Sequence, residues 1–211
     1  MKNNNLLFWL ISLVVLALLA WGMISLATNN QGEETTLFDE TQIQANDHVQ
    51  GSESAQNILI EYSDFQCPAC GAYYPMLKTL SEELADQVKL IYRHFPLESL
   101  HPNAKIAALA SEAAGQQGKF WEMYDKLFEN QTDWSNEQNP IEKFTQYAAE
   151  IGLDPEQFKN DLDSEPVKDK VKQDQGFANS LRLNSTPTFF LNGEKIRFNS
   201  YNQLKNAIKQ N

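Results

Sequence analysis

Ile58-Leu59-Ile60-Glu61-Tyr62-Ser63-Asp64-Phe65-Gln66-Cys67-Pro68-Ala69-Cys70-Gly71 is the stretch from which the rest of the chain can be read. Its first three residues form a continuous apolar run that suits a central strand buried on both faces. Near its end stand the only two cysteines in 211 residues, Cys67 and Cys70. Pro68 suits the first position of a helix, where a missing N–H costs nothing. Two thiols separated by two residues can close a small disulfide across that first turn. Such a bond cross-links little of the fold, so reversible redox chemistry is the stronger reading. A static structural disulfide and half of a metal site are the rivals. Zinc normally takes four ligands, and only His48, His94 and His101 remain to join the two thiols.

Downstream, Tyr74, Leu77, Leu80 and Leu84 recur at helical spacing, and Val88, Leu90 and Tyr92 alternate as a second strand ending near Pro96. The chain so far reads β-α-β with the cysteines at the strand-to-helix corner. A helical stretch follows over about residues 98–182. Its apolar faces are Ile106, Leu109, Ala110 and Ala113, then Phe120, Tyr124 and Phe128, then Ile141, Phe144, Tyr147 and Ile151. Phe158 with Leu162, and Val167, Val171, Ala178 and Leu181, predict two more helices, and glycines and prolines separate the units. The aromatics read as core packing. Thr188-Phe189-Phe190-Leu191 returns to strand, Asn192-Gly193 is a two-residue hairpin signal, and Lys195 to Phe198 supplies the partner. Ser200 and Gln203 match a capping box, with Leu204, Ala207 and Ile208 on the apolar face of a last helix. The second half is therefore β-β-α.

Upstream, residues 6–27 carry no charge and are mostly Leu, Ile, Val, Ala, Phe or Trp. At about 1.5 Å per residue this run crosses a hydrocarbon core of about 30 Å. Lys2 precedes it and Glu33 and Glu34 follow, which places residues 1–5 in the cytoplasm and the rest outside. A cleaved signal peptide ending at Ser25-Leu26-Ala27 is the competing reading. Residues 28–50 are polar and acidic and read as a tether, leaving residues 51–211 as one exported domain in a compartment where disulfides persist. The net charge of −11 argues against a nucleic-acid surface.

The element order with C-x-x-C at the first helix start resembles the thioredoxin superfamily, and the helical insertion resembles its DsbA-like thiol oxidoreductases. Three stretches carry the resemblance: Asp64 to Gly71, His101-Pro102-Asn103-Ala104, and Ser185 to Gly193 with Thr186-Pro187 inside it. The implied fold is α/β, thioredoxin-like, with a helical insertion between the β-α-β and β-β-α halves and one N-terminal transmembrane helix before it. The resemblance implies a disulfide exchanger with Cys67 as nucleophile and Cys70 as resolving thiol. It implies exported proteins with free thiols as substrates and a membrane redox partner of DsbB or VKOR type. No cofactor beyond the Cys67–Cys70 disulfide is expected. Pro187 is expected in cis, with Thr186 binding substrate backbone; a trans proline opening a strand is the plainer alternative.

The physics at these positions agrees. A helix N-terminus stabilises a thiolate at Cys67, which improves it both as attacker and as leaving group. Glu61, six residues earlier, matches the buried acid that moves the resolving thiol's proton; a solvated edge glutamate is the alternative reading. Asp64 is expected as a turn residue, and His94 and His101 as structural. One position departs from the DsbA-like pattern. Where those proteins often carry His, this chain has Ala69, which removes a donor to the thiolate and predicts a less oxidising disulfide. The expected direction is oxidation, the alternatives being a reductase or isomerase and a redox-inert binding module.

Overall fold

The computed structural model describes residues 43–210. Residues 1–5, the apolar run at 6–27 and the tether up to residue 42 lie outside the described residues. Among the described residues no helix is long and apolar enough to cross a membrane.

Five strands form one sheet: β1 (His48–Gln50), β2 (Asn57–Ser63), β3 (Val88–His94), β4 (Thr188–Leu191) and β5 (Glu194–Ile196), in the order β1-β3-β2-β4-β5. β2 and β3 run parallel, joined through helix α1 (Pro68–Glu83), and the other pairings are antiparallel. Side chains on a strand alternate between faces, and β2 is apolar on both. Leu59 packs with Leu90, Phe189 and Leu191 against Leu77 and Leu80 of α1, Leu84 at its C-cap, and Leu204 and Ile208 of α8 (Tyr201–Gln210). Ile60 and Tyr62 pack the opposite way, with Ile91, Phe190 and Ala178. Full burial of a leucine such as Leu77 or Leu80 stabilises the fold by about 2 kcal/mol. Truncating either would unseat α1, and with it the cysteine corner.

The insertion contains α2 (Ala104–Gln116), α3 (Phe120–Glu129), α4 (Gln131–Trp134), α5 (Ile141–Glu150), α6 (Pro155–Asp161) and α7 (Glu165–Ser180). Its aromatics join Phe65, Cys70 and Tyr92 in one core cluster. The five expected helical units are there, and the one-turn α4 adds a sixth. In the hairpin Asn192 and Gly193 have φ of 50° and 85°, the left-handed pair that a two-residue turn matched to strand twist requires. Ser200 Oγ accepts from Gln203 N at 3.4 Å, while Gln203 Oε1 reaches back one residue farther than expected, to Asn199 N at 3.0 Å.

The tether boundary at residue 50 is corrected. β1 lies inside the stretch read as tether and pairs His48 with Tyr92 and Gln50 with Leu90. Asp47 is buried against Arg93 and Lys170. The folded domain therefore begins several residues before 51. Three strand residues are too short to produce a readable alternation, and an acidic residue in a polar run reads as solvent-facing unless its partner, 46 positions away, is known.

Candidate active site

The chain leaves β2 at Ser63 and must turn into α1 within four residues. Asp64 makes that turn: its Oδ1 accepts from Gln66 N at 2.8 Å and its carbonyl accepts from Cys67 N at 3.0 Å. Its other oxygen accepts from Leu97 N at 2.9 Å and lies 2.7 Å from His101 Nδ1, which fastens the corner to the loop after β3. Cys67 is the N-cap of α1 and Pro68 its first residue. The insertion grips the same corner. Gln131 Nε2 donates to Phe65 O at 2.7 Å and to Cys67 O at 2.9 Å. Gln66 Nε2 donates to Ser135 O, and its Oε1 accepts from Asn103 N at 2.6 Å. Gly71 leaves room for this clamp, since a Cβ there would stand 2.6 Å from Gln131 Oε1.

Both cysteines are free thiols and both are buried, Cys67 with 7% of its surface exposed and Cys70 with none. The only access to the pair is thus through Cys67. As a thiol, Cys67 donates to Thr186 O at 3.6 Å. Three donors favour its thiolate, the Cys70 thiol foremost and then the backbone N–H groups of Cys70 and Ala69, with the nearby Thr186 side chain acting in the same direction. Against the opposing effect of burial they hold Cys67 down at about 5. Cys70 moves the other way. Burial, its hydrogen bond to Cys67 and the negative charge of Glu61 push its pKa well above the ordinary thiol range. Thr186–Pro187 is a cis peptide, and Pro187 lines a groove with Tyr73, Ser185, Phe189, Lys195 and Phe198.

Glu61 is buried, not solvated at an edge. It shares its face of the sheet with Leu59 and pairs in register with Tyr92 of β3. Oε1 accepts from Ser63 Oγ at 2.8 Å, and Oε2 has no partner among the described residues. Burial pushes its carboxyl up to about 8, opposed by the Ser63 hydrogen bond and assisted by the charge on Cys67. The charge of Glu61 therefore raises the proton affinity of Cys70, and the charge of Cys67 raises that of Glu61. That is what a proton acceptor for a buried resolving thiol needs.

The three histidines take carboxylate partners. His48 and His94 both contact Glu112, at 2.9 and 2.8 Å, and His101 contacts Asp64. Burial would raise Glu112, but its bonds from His48 and His94 outweigh that and hold it at about 2.

Alkylation of the reduced protein by iodoacetamide should report the Cys67 environment directly. Only the thiolate reacts. The rate should climb about tenfold per pH unit up to about 5 and be level by neutral pH. A midpoint near the free-thiol range of 8 to 9 would refute this electrostatic account.

A buried thiol pair at a strand-to-helix corner, set against a cis-proline loop on a mixed five-stranded sheet, defines a thiol–disulfide exchange site of thioredoxin type. The chain belongs to the thioredoxin family, whose model, described as Thioredoxin, matches residues 44–210. Its fold is similar to that of a thioredoxin-like oxidoreductase from Silicibacter pomeroyi DSS-3, at 26% identity and a TM-score of 0.69 over 82% of this chain and 96% of that one. BdbD from Bacillus subtilis is similar at 26% identity and 0.69, over 77% of this chain and 90% of that one. The thiol-disulfide exchange protein α-DsbA2 from Wolbachia pipientis shares the fold at 16% identity and 0.72, over 83% and 92%.

Among curated relatives, the Na(+)/H(+) antiporter NhaA 1 of Mycobacterium sp. (strain KMS) is 41% identical over 153 residues, 71% of this chain and 24% of that protein. The NhaA antiporter of Herminiimonas arsenicoxydans is 37% identical over 192 residues, 89% of this chain and 30% of that protein. The chain thus spans about a quarter to a third of the length of the curated relatives it matches.

Proposed function

We propose that this chain is an extracytoplasmic thiol–disulfide oxidoreductase acting as an oxidase on thiols of exported proteins. The observation that carries this reading is the asymmetry of the pair: Cys67 caps the helix with 7% of its surface exposed and donors that favour its thiolate, while Cys70 has no exposed surface and burial favours its thiol. A reduced form stabilised as a thiolate makes the disulfide easier to reduce, hence a better oxidant. A substrate thiolate attacks Cys67 Sγ of the disulfide. The Cys67–Cys70 bond breaks, its electron pair goes to Cys70, and Cys70 takes up a proton. A second substrate thiolate then attacks the substrate sulfur of the mixed disulfide and expels Cys67 as the leaving thiolate. The substrate has lost two electrons and the chain has gained them.

The Pro187 groove, with Thr186 at its head, would hold the substrate backbone, while Pro68 and Ala69 shape the exposed edge of the active-site turn. Reoxidation calls for a membrane acceptor of DsbB or VKOR type, and the active disulfide is the only redox group the proposal requires. Residues 6–27 would anchor the domain outside the membrane, with residues 1–5 in the cytoplasm. The reading rests on the thiol site and not on the antiporter names, which describe proteins about three times as long.

The disulfide potential of the full chain, equilibrated in graded glutathione buffers, tests the direction. A value above about −180 mV supports the oxidase; a value near or below about −270 mV supports a reductase or an inert disulfide. Ala69→His should shift it toward the oxidising end, and an unchanged potential would remove the role assigned to position 69.

A further inference from the structure

Tyr92 and Tyr124 carry two hydroxyls that disulfide exchange, as described so far, does not use. Both side chains are buried, and neither hydroxyl has a hydrogen-bond partner among the described residues. The same holds for Glu61 Oε2. An unsatisfied buried polar atom is costly, and phenylalanine would fill either tyrosine site without that cost.

The three orphaned oxygens belong to one seam of the interior. Glu61 and Tyr92 are register partners on neighbouring strands, so their side chains stand side by side on one face. The Tyr92 and Tyr124 rings meet edge to face with centroids 5.3 Å apart, and Tyr124 meets Tyr74 at 5.6 Å. At Tyr74 the seam reaches solvent. Its hydroxyl lies 2.9 Å from both Asp125 Oδ1 and Glu129 Oε1 and accepts from Lys78 Nζ at 3.0 Å. The side chains of Asp125 and Glu129 are 38% and 48% exposed.

We propose that Tyr92 and Tyr124, with internal water bridging the orphaned oxygens, form a proton path from Glu61 to the exposed Tyr74–Asp125–Glu129 cluster, and that this path serves the Cys70 step of exchange. The proposal rests on the reading of Glu61 as proton acceptor for Cys70. A neutral hydroxyl accepts one hydrogen bond and donates another, so a proton passes along the row without any phenolate forming. Buried water typically bridges such otherwise unsatisfied groups. The ionisable groups around the path are Cys67, Cys70 and Asp64 at the active-site end, His94 beside Tyr92, and Tyr74, Asp125, Glu129 and Lys78 at the surface end. Glu61 needs such an outlet. With its carboxyl raised to about 8 it already carries a proton at neutral pH, and it must release that one before taking another.

The step is a disulfide exchange. In a mixed disulfide between Cys67 and an R–S group, Glu61 first releases its proton along the tyrosines, then takes the proton of Cys70, whose thiolate attacks Cys67 Sγ. The Cys67–Cys70 bond forms, and R–S⁻ leaves with the electron pair of the broken bond.

Reduced full chain mixed with 5,5′-dithiobis(2-nitrobenzoate) in a stopped-flow separates the two thiols. The first thionitrobenzoate is expelled by Cys67 and the second by Cys70. Tyr92→Phe and Tyr124→Phe should leave the first phase unchanged and slow the second by about fivefold or more, a part of what proton transfer contributes to such steps. The glutathione equilibrium should stay where it was. Second phases within twofold of the unsubstituted chain, or both phases slowed alike, would overturn the path. Glu61→Gln in the same assay separates the two claims. If it slows the second phase while the tyrosine variants do not, the path fails and the acceptor stands. If it too leaves the second phase unchanged, the acceptor reading and the path fall together.

Discussion

Cys67→Ser should abolish exchange, lowering the oxidation rate of a dithiol peptide by about a thousandfold or more, as loss of a catalytic nucleophile does. Cys70→Ser should also stop turnover but accumulate mixed disulfides, visible as higher-mass species on non-reducing gels. The asymmetry follows from burial. Cys67 is the thiol that retains surface, while Cys70 has none, so a substrate can bond only to Cys67. Without Cys70 the intramolecular escape from the mixed disulfide is lost, and the complex lives until a second external thiol arrives. The Cys70 thiol is also the largest stabiliser of the Cys67 thiolate. Cys70→Ala should therefore raise the Cys67 pKa from about 5 toward the ordinary thiol range, whereas Cys70→Ser keeps a donor and should raise it less. Equal trapping by the Cys67→Ser and Cys70→Ser chains would contradict the assignment of roles.

What was legible in the sequence is what local chemistry writes down. The β-α-β corner can be read because Pro68 and the two thiols occupy a helix start, the hairpin because Asn192-Gly193 is built for left-handed φ, and the insertion because Phe and Tyr recur at helical spacing. Glu61 could be flagged as an acid on an apolar strand. Whether it faced the site depended on strand regularity, and the register with Tyr92 supplies that. Gln131, Gln66 and Asn103 could not be found this way. Their amides act on backbone carbonyls and N–H groups far along the chain, and an amide on a helical insertion has no periodic signature. Tyr92 and Tyr124 were readable only as core. The signal that separates them from Phe65 or Phe128 is one oxygen atom, and only a three-dimensional neighbourhood shows that it lacks a partner.

The start of the domain carries the other large effect. A chain beginning at residue 51 loses β1 and Asp47, and should be less stable than one beginning at residue 43 by about 3–5 kcal/mol, the cost of breaking a buried ion pair. That is a large share of the 5–15 kcal/mol that typically holds a domain together. Asp47 and Arg93 side chains are both fully buried, with Nη2–Oδ2 at 2.7 Å and Nε–Oδ1 at 3.1 Å. Lys170 joins them at 3.3 Å and also binds Asp174 at 2.6 Å. Loss of Asp47 takes from Arg93 and Lys170 the carboxylate that both contact, and loss of β1 exposes the edge of β3 that it covers. Asp47→Ala in the longer chain isolates the electrostatic part and should account for most of the loss. The pH dependence carries a definite sign. Burial raises the Asp47 carboxyl, but the Arg93 hydrogen bond and the Lys170 charge outweigh it, so its folded pKa lies below the usual 3.8. Its contribution is complete above that ordinary value and disappears as pH falls through the lower folded one. Urea midpoints at pH 7 should therefore separate the Asp47→Ala chain from the unsubstituted one widely, and the gap should narrow on acidification below pH 4. Equal midpoints at pH 7 for the chains starting at 43 and 51 would return residues 43–50 to the tether.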